Sequence, residues 1–262
     1  MDRWIVELEP QGRKCLDEWW AGHDFQSPAF FIKSLPVDHW MVVQVAGRYS
    51  TELEKLPCVR KLYVDQKIEW RNTAPNDPGY VNQENFDLIN MEKAWDISQG
   101  GLTSRGDTIV VALIDDGFQL DHEDLITNIW INHDEVPNDG ADNDDNGYND
   151  DYYGFNVTTG TDVHPNLEHG TNVAGIVGAR GNNSKGIAGI NWRVKLMIIS
   201  GADFESDLIE AYEYVLDMRK RYRLTSGNKG AFVVAANLSA GIDLAFGVDH
   251  PLWCEMYDKL GN

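Results

Sequence analysis

Two side chains in this sequence stand where a proton can be moved. Asp115 follows the apolar run TIVVALI of residues 108–114 and precedes Asp116-Gly117. A carboxylate at the carboxyl end of a buried parallel strand lies where open α/β sheets bind their ligands. His169 sits in the segment Glu168-His-Gly-Thr-Asn-Val-Ala-Gly175, a histidine followed by small residues. At the start of a helix such a segment packs closely against a strand. The imidazole can then accept a proton on one side while a carboxylate orients it from the other, the work of a general base in acyl transfer. Each residue alone also has a plainer reading, Asp-Gly as a turn and the histidine as a structural one.

A second group of side chains suits a hard cation. The segment Asp142-Asn-Asp144-Asp-Asn146-Gly-Tyr-Asn-Asp150-Asp151 offers oxygen at alternating positions, with a glycine for a sharp turn. Calcium takes about six to eight oxygen ligands. Asp142, Asp144, Asn146, the Tyr148 carbonyl and Asp150 or Asp151 supply most of that set. The run D-x-D-x-N-G matches the first half of an EF-hand loop, but Tyr153 stands where that loop needs its closing glutamate. Calcium is expected here; the alternative is a solvated acidic loop.

The elements that must position these groups follow from periodicity. The run 108–114 reads as a strand buried on both faces of a parallel sheet. Residues 170–179 read as a helix, 194–199 as a second buried strand, 207–222 as an amphipathic helix, 231–236 as a third strand, and the stretch from about Pro251 as a last helix. Strands alternating with helices give an α/β domain. Ahead of it, strands over 4–8, 30–35, 40–45 and 59–69 and helices over 11–22 and 50–56 make the order βαββαβ, a small ferredoxin-like α+β module, with Ser50 as a candidate N-cap and a turn around Pro36. The polar stretch Arg71–Gly79 (RNTAPNDPG) divides the two and is an exposed cleavage candidate. Three regions result: 1–71, a linker and domain start over 72–107, and 108–262.

Taken together, the segments become specific. Val-Ala-Leu-Ile-Asp115-Asp-Gly, then His122-Glu-Asp-Leu125, then His169-Gly-Thr-Asn-Val-Ala-Gly175 resembles the subtilisin-like serine peptidase family, whose triad runs in chain order Asp, His, Ser. The resemblance continues through Asn182-Asn-Ser-Lys-Gly-Ile-Ala-Gly189 to Asn237-Leu-Ser-Ala-Gly241, about 75 to 262 in all. It implies an incomplete parallel-sheet subtilisin-like domain and endopeptidase chemistry on polypeptide substrates. Asp115 would orient His169, and His169 would serve as base and then acid. Ser239, Ala240 and Gly241 would be the edge that pairs with substrate backbone. Asp124 and Asn183 would share a second calcium. Asp116, where many members carry Ser or Thr, resembles the proprotein-convertase branch at this one dipeptide. In the family an oxyanion-hole Asn and a Gly-Thr-Ser nucleophile come later. Asn262 reads as a helix end, so the chain as given is expected to stop short of its catalytic serine and to be inactive alone. Residues 1–71, above all 50–65, resemble the inhibitory propeptide of such enzymes, an intramolecular inhibitor of a zymogen, with cleavage expected near Arg71–Thr73.

Charge and cysteine content bound the remaining choices. The formal net charge is -20. Thirteen acidic residues and no Lys or Arg lie between Asp115 and Asp151, which repels nucleic acid and anionic membranes. No stretch approaches the roughly 18 apolar residues of a membrane span. Three cysteines without a C-x-x-C pair argue against a zinc site and allow one disulfide, with at least one thiol left over. The opening Met1-Asp2-Arg3-Trp4 shows no charged-then-apolar leader. An extracellular or cell-envelope location is nonetheless what the resemblance implies. A non-catalytic calcium-binding pseudoprotease is the alternative function, and a chaperone or inhibitor role for the front module alone is a third.

Overall fold

The computed structural model describes residues 2–25, 31–36, 39–67 and 73–261. The chain forms two compact units, Met1–Trp70 and Arg71–Asn262. Phe30 at the start of the second expected strand, part of the turn after Pro36, the end of the strand expected to reach Glu69, Arg71 at the expected cleavage point and the terminal Asn262 lie outside the described residues.

The first unit runs β1 (Asp2–Leu8), α1 (Arg13–Ala21), β2 (Phe31–Ser34), β3 (Trp40–Val45), α2 (Ser50–Glu54) and β4 (Val59–Val64). The strands form one antiparallel sheet in the order β2-β3-β1-β4, the topology of a ferredoxin-like βαββαβ unit. Alternation along β1 sends Val6 and Leu8 into a core shared with Leu16 of α1, Val43 and Val45 of β3 and Leu53 of α2. Each such buried side chain stabilises the unit by roughly 1.5–3 kcal/mol relative to exposure. A disulfide joins Cys15 on α1 to Cys58 just before β4 and leaves Cys254 free. Ser50 does not cap α2. A 3-10 turn over Gly47–Tyr49 precedes the helix, and the Ser50 hydroxyl donates to the Gly47 carbonyl.

The second unit holds two short helices, α3 (Glu84–Leu88) and α4 (Met91–Ile97), then β5 (Val110–Asp115), β6 (Phe155–Asn156), α5 (Glu168–Gly178), β7 (Lys195–Ser200), α6 (Glu205–Leu224), β8 (Val233–Leu238) and α7 (Pro251–Gly261). Its sheet is parallel throughout, ordered β6-β7-β5-β8. Successive residues of β5 point to opposite faces, and both faces are apolar. Ala112 and Ile114 join Ala211, Tyr214, Val215 and Met218 of α6, while Leu113 joins Ala174 of α5 and Leu196 and Ile198 of β7. That two-sided burial is why the strand reads as a continuous apolar run. Helix α6 has Glu205 and Asp207 in its first turn and Arg221 and Arg223 in its last, which complements its macrodipole. Among the described residues no helix is long and apolar enough to cross a membrane.

Candidate active site

Asp115 is the last residue of β5, and its register partner is Ser200, the last residue of β7. Helix α5 begins at Glu168, which makes His169 its second residue. The helix reaches the strand end because residue 170 is glycine. A Cβ there would collide with the Gly117 carbonyl oxygen and come within 3.0 Å of the Asp115 Cβ. The Gly170 amide donates to Asp116 Oδ1 at 3.0 Å, which fastens the helix start to the strand end.

His169 Nδ1 lies 2.6 Å from Asp115 Oδ1, which also accepts the Asp116 amide at 2.8 Å. A carboxylate facing Nδ1 assigns the ring proton to that nitrogen and leaves the Nε2 lone pair free. The Asp115 side chain is 3% exposed and the His169 side chain 57%, so the carboxylate is sheltered while the ring opens to solvent. The hydrogen bond to Asp115, and then the Asp115 charge, hold the imidazolium form and raise the His169 pKa above its ordinary value. Ile114 pairs with Leu238 on β8, so Ser239, Ala240 and Gly241 leave the sheet at the same end as Asp115, as exposed residues beyond the strand. The Ser239 hydroxyl accepts from Asn237 Nδ2 at 2.9 Å.

The acidic loop folds back on itself and divides the expected ligands. Asp142 accepts the amides of Asn146 and Gly147, and Asp150 those of Asp139 and Gly140. Asn146 accepts the Tyr148 amide and donates to Asp151. Asp144 and Asp151 instead turn inward and meet Glu135, with ligand atoms from all three within 4.8 Å of one another and all three residues buried. Asn132 Nδ2 bridges Asp144 and Asp151, and the Tyr214 hydroxyl donates to Asp151 at 2.7 Å. Burial pushes the Asp151 carboxyl up to about 6 against the pull of those hydrogen bonds. Glu135 is raised by burial as well. At the second site Asp124 accepts Asn183 Nδ2 and the Ile187 amide, both at 2.8 Å, and burial raises its pKa.

A family model described as the subtilase family matches residues 106–252, more than half of the sequence. The chain belongs to the subtilase family. "Subtilisin-like protease 1" of Plasmodium berghei is 34% identical over 52% of this chain and 23% of its own length. Halolysin of Haloferax mediterranei is 30% identical over 54% of this chain and 24% of its own. A protease from Pseudoalteromonas arctica, among the solved structures, is 28% identical over 55% of this chain and 44% of that one, with a TM-score of 0.37. The chain spans about a quarter of the length of the curated relatives quoted.

Whether this subtilase's loop suits calcium can be judged from its own atoms. Glu135 Oε2 and Asp144 Oδ1 are buried and accept no hydrogen bond, and Arg221 Nη1, 3.7 Å from Asp144 Oδ1, is one positive charge set against three facing buried carboxylates. Carboxylates in that state call for a cation, and an all-oxygen donor set is the kind calcium takes. The residues fit. Glu135 was not among the expected ligands: it lies inside the acidic run but outside D-x-D-x-N-G, so only its burial marks it. Asp77 was missed too. Its carboxylate accepts the amides of Asn182 and Asn183, beside Asp124. A third omission is His164, whose Nδ1 lies 2.8 Å from the Ser200 hydroxyl behind the strand end and whose pKa burial lowers to about 4. Nothing in the spacing of these residues sets them apart from other polar loop residues.

Proposed function

We propose that this chain is the amino-terminal part of a calcium-stabilised serine endopeptidase made as a zymogen. The observation that carries the reading is the 2.6 Å pairing of His169 with a sheltered Asp115, at the carboxyl end of a parallel strand, inside the segment matched by the subtilase model. His169 Nε2 takes the proton of an attacking serine. Asp115 holds Nδ1–H and stabilises the imidazolium that forms, and the same Nε2 then returns the proton to the leaving amine. Ser239 to Gly241 present backbone to an extended polypeptide substrate. Hydrolysis by this dyad also requires an attacking serine and an oxyanion-hole donor.

Bound calcium would neutralise the buried carboxylates of the acidic loop. Glu135, Asp144 and Asp151 would hold it, and Asp124 with Asn183 and Asp77 would form the second site. The first unit serves as the inhibitory propeptide, supported by its βαββαβ order, and separation from the second unit takes place near Arg71–Thr73. Maturation outside the cytoplasm is supported by the Cys15–Cys58 disulfide and by relatives such as the extracellular basic protease of Dichelobacter nodosus.

The test is a fluorophosphonate probe applied to the full gene product with and without calcium. Labelling that vanishes in His169→Ala supports the peptidase. A folded, calcium-loaded and propeptide-cleaved protein that does not label would be a non-catalytic calcium-binding member of the family.

A further inference from the structure

We propose that Asp115, Asp116 and His169 together form a site for a zinc-class divalent cation that switches the catalytic base off. Each of the three offers a ligand atom, and these atoms lie within 4.8 Å of one another, close enough to share one ion. The dyad alone does not account for the whole arrangement. Asp115 Oδ2 is closed off from solvent and accepts no hydrogen bond among the described residues, so a carboxylate oxygen stands with an unused lone pair at the site. Asp116 adds a second negative charge where the Asp–His pair needs none, and its exposed position leaves it open to an incoming ion. The ring is 57% exposed, which leaves coordination positions for water.

The donor set selects the metal. One imidazole nitrogen and two carboxylates suit Zn2+ or its surrogate Co2+. Calcium prefers an all-oxygen set such as the acidic loop. A net charge of -20 raises the local concentration of any cation.

The consequence for the base is a change of tautomer. Neutral His169 carries its proton on Nδ1 and its free lone pair on Nε2. When the ion takes the Nδ1 lone pair, that proton passes through solvent to Nε2, and the Nδ1–H to Asp115 hydrogen bond is lost. The Nε2 lone pair that would receive the serine proton is then occupied, with no net change in protonation. From the imidazolium form one proton leaves, so binding weakens as the pH falls.

The inference rests on the dyad reading of the same site, but it can be measured on this chain without a nucleophile. Zinc is titrated calorimetrically into the calcium-saturated chain, with cobalt absorption as a second readout. A single micromolar site is expected, weakened about tenfold or more in Asp116→Asn and lost in His169→Ala. The amide side chain of the first variant keeps an oxygen for the Gly170 N–H, so it removes charge without releasing the helix. Zinc affinity unchanged in His169→Ala, or no binding by about 100 µM zinc, overturns the proposal. A longer product that binds zinc but resists the fluorophosphonate probe would remove the peptidase reading and leave this one standing.

Discussion

Acidifying the chain from about pH 7 to about pH 5 should weaken calcium binding at the acidic loop about tenfold. Calcium needs Asp151 ionised, and burial raises that carboxyl to about 6 in the folded chain. With that value the ionised fraction is roughly 0.9 at the higher pH and roughly 0.1 at the lower, so the apparent Kd rises by their ratio. A carboxyl at the ordinary 3.8 would change the Kd by less than about a tenth over the same interval. Glu135, also raised by burial, adds to the effect in the same direction. The sign is that of an acid whose folded pKa is raised. Without metal, the charged form costs stability that returns as the pH falls through about 6 toward 3.8. The assay is calorimetric titration of chelator-treated protein with calcium at both pH values, repeated with Asp151→Asn. A ratio below about two in the parent chain would refute the assignment of Asp151 as a buried ligand. So would a ratio in the variant equal to that of the parent.

Two further outcomes follow from the site. Gly170→Ala places a methyl against the Gly117 carbonyl and the Asp115 Cβ. Overpacking of that kind costs about 1–3 kcal/mol, so urea denaturation should show the loss together with disappearance of the downfield proton of the Asp115–His169 pair in the NMR spectrum; a retained proton and unchanged midpoint would contradict the packing. In calcium-saturated protein, His164 should make stability fall with acid. Its folded pKa of about 4 lies below the ordinary 6.5, so stability held above 6.5 is lost as the pH drops, by up to roughly 3 kcal/mol relative to His164→Gln. Parallel stability curves for the two proteins would show that the ring protonates freely in place.

Much of this was legible in the sequence, for particular reasons. Strands β5 and β7 are buried on both faces, so their apolar runs announce them. Helix α6 is long enough for its periodicity to show, and its observed ends at Glu205 and Leu224 lie only two residues outside the expected 207–222. Helices α3 and α4, with five and seven residues, are too short to show a repeat. Strand β6 has two residues and is defined only by its pairing with Ile199 and Ser200. The Asp115–His169 pair was read from two segments separated by 54 positions. The acidic loop was read as a cation site, but a pattern of alternating oxygens could not tell carboxylates that accept backbone amides, as Asp142 and Asp150 do, from those that turn inward. That division depends on Glu135, Asn132 and Tyr214, which the chain brings in from outside the motif.

The Cys15–Cys58 bond also fixes what a cut in the first unit can do. It closes a covalent ring over residues 15–58 that contains β2, β3 and α2, while β1 and β4 lie on the two tails. A single break inside the ring leaves one covalent molecule, and β3, within the ring, remains paired to β1 outside it. Nicking there shortens nothing and releases nothing until the sulfurs are reduced. Only scission beyond the ring, as in the stretch joining the two units, parts the first unit from the second as an intact piece. The bond therefore separates damage to the domain from its discharge.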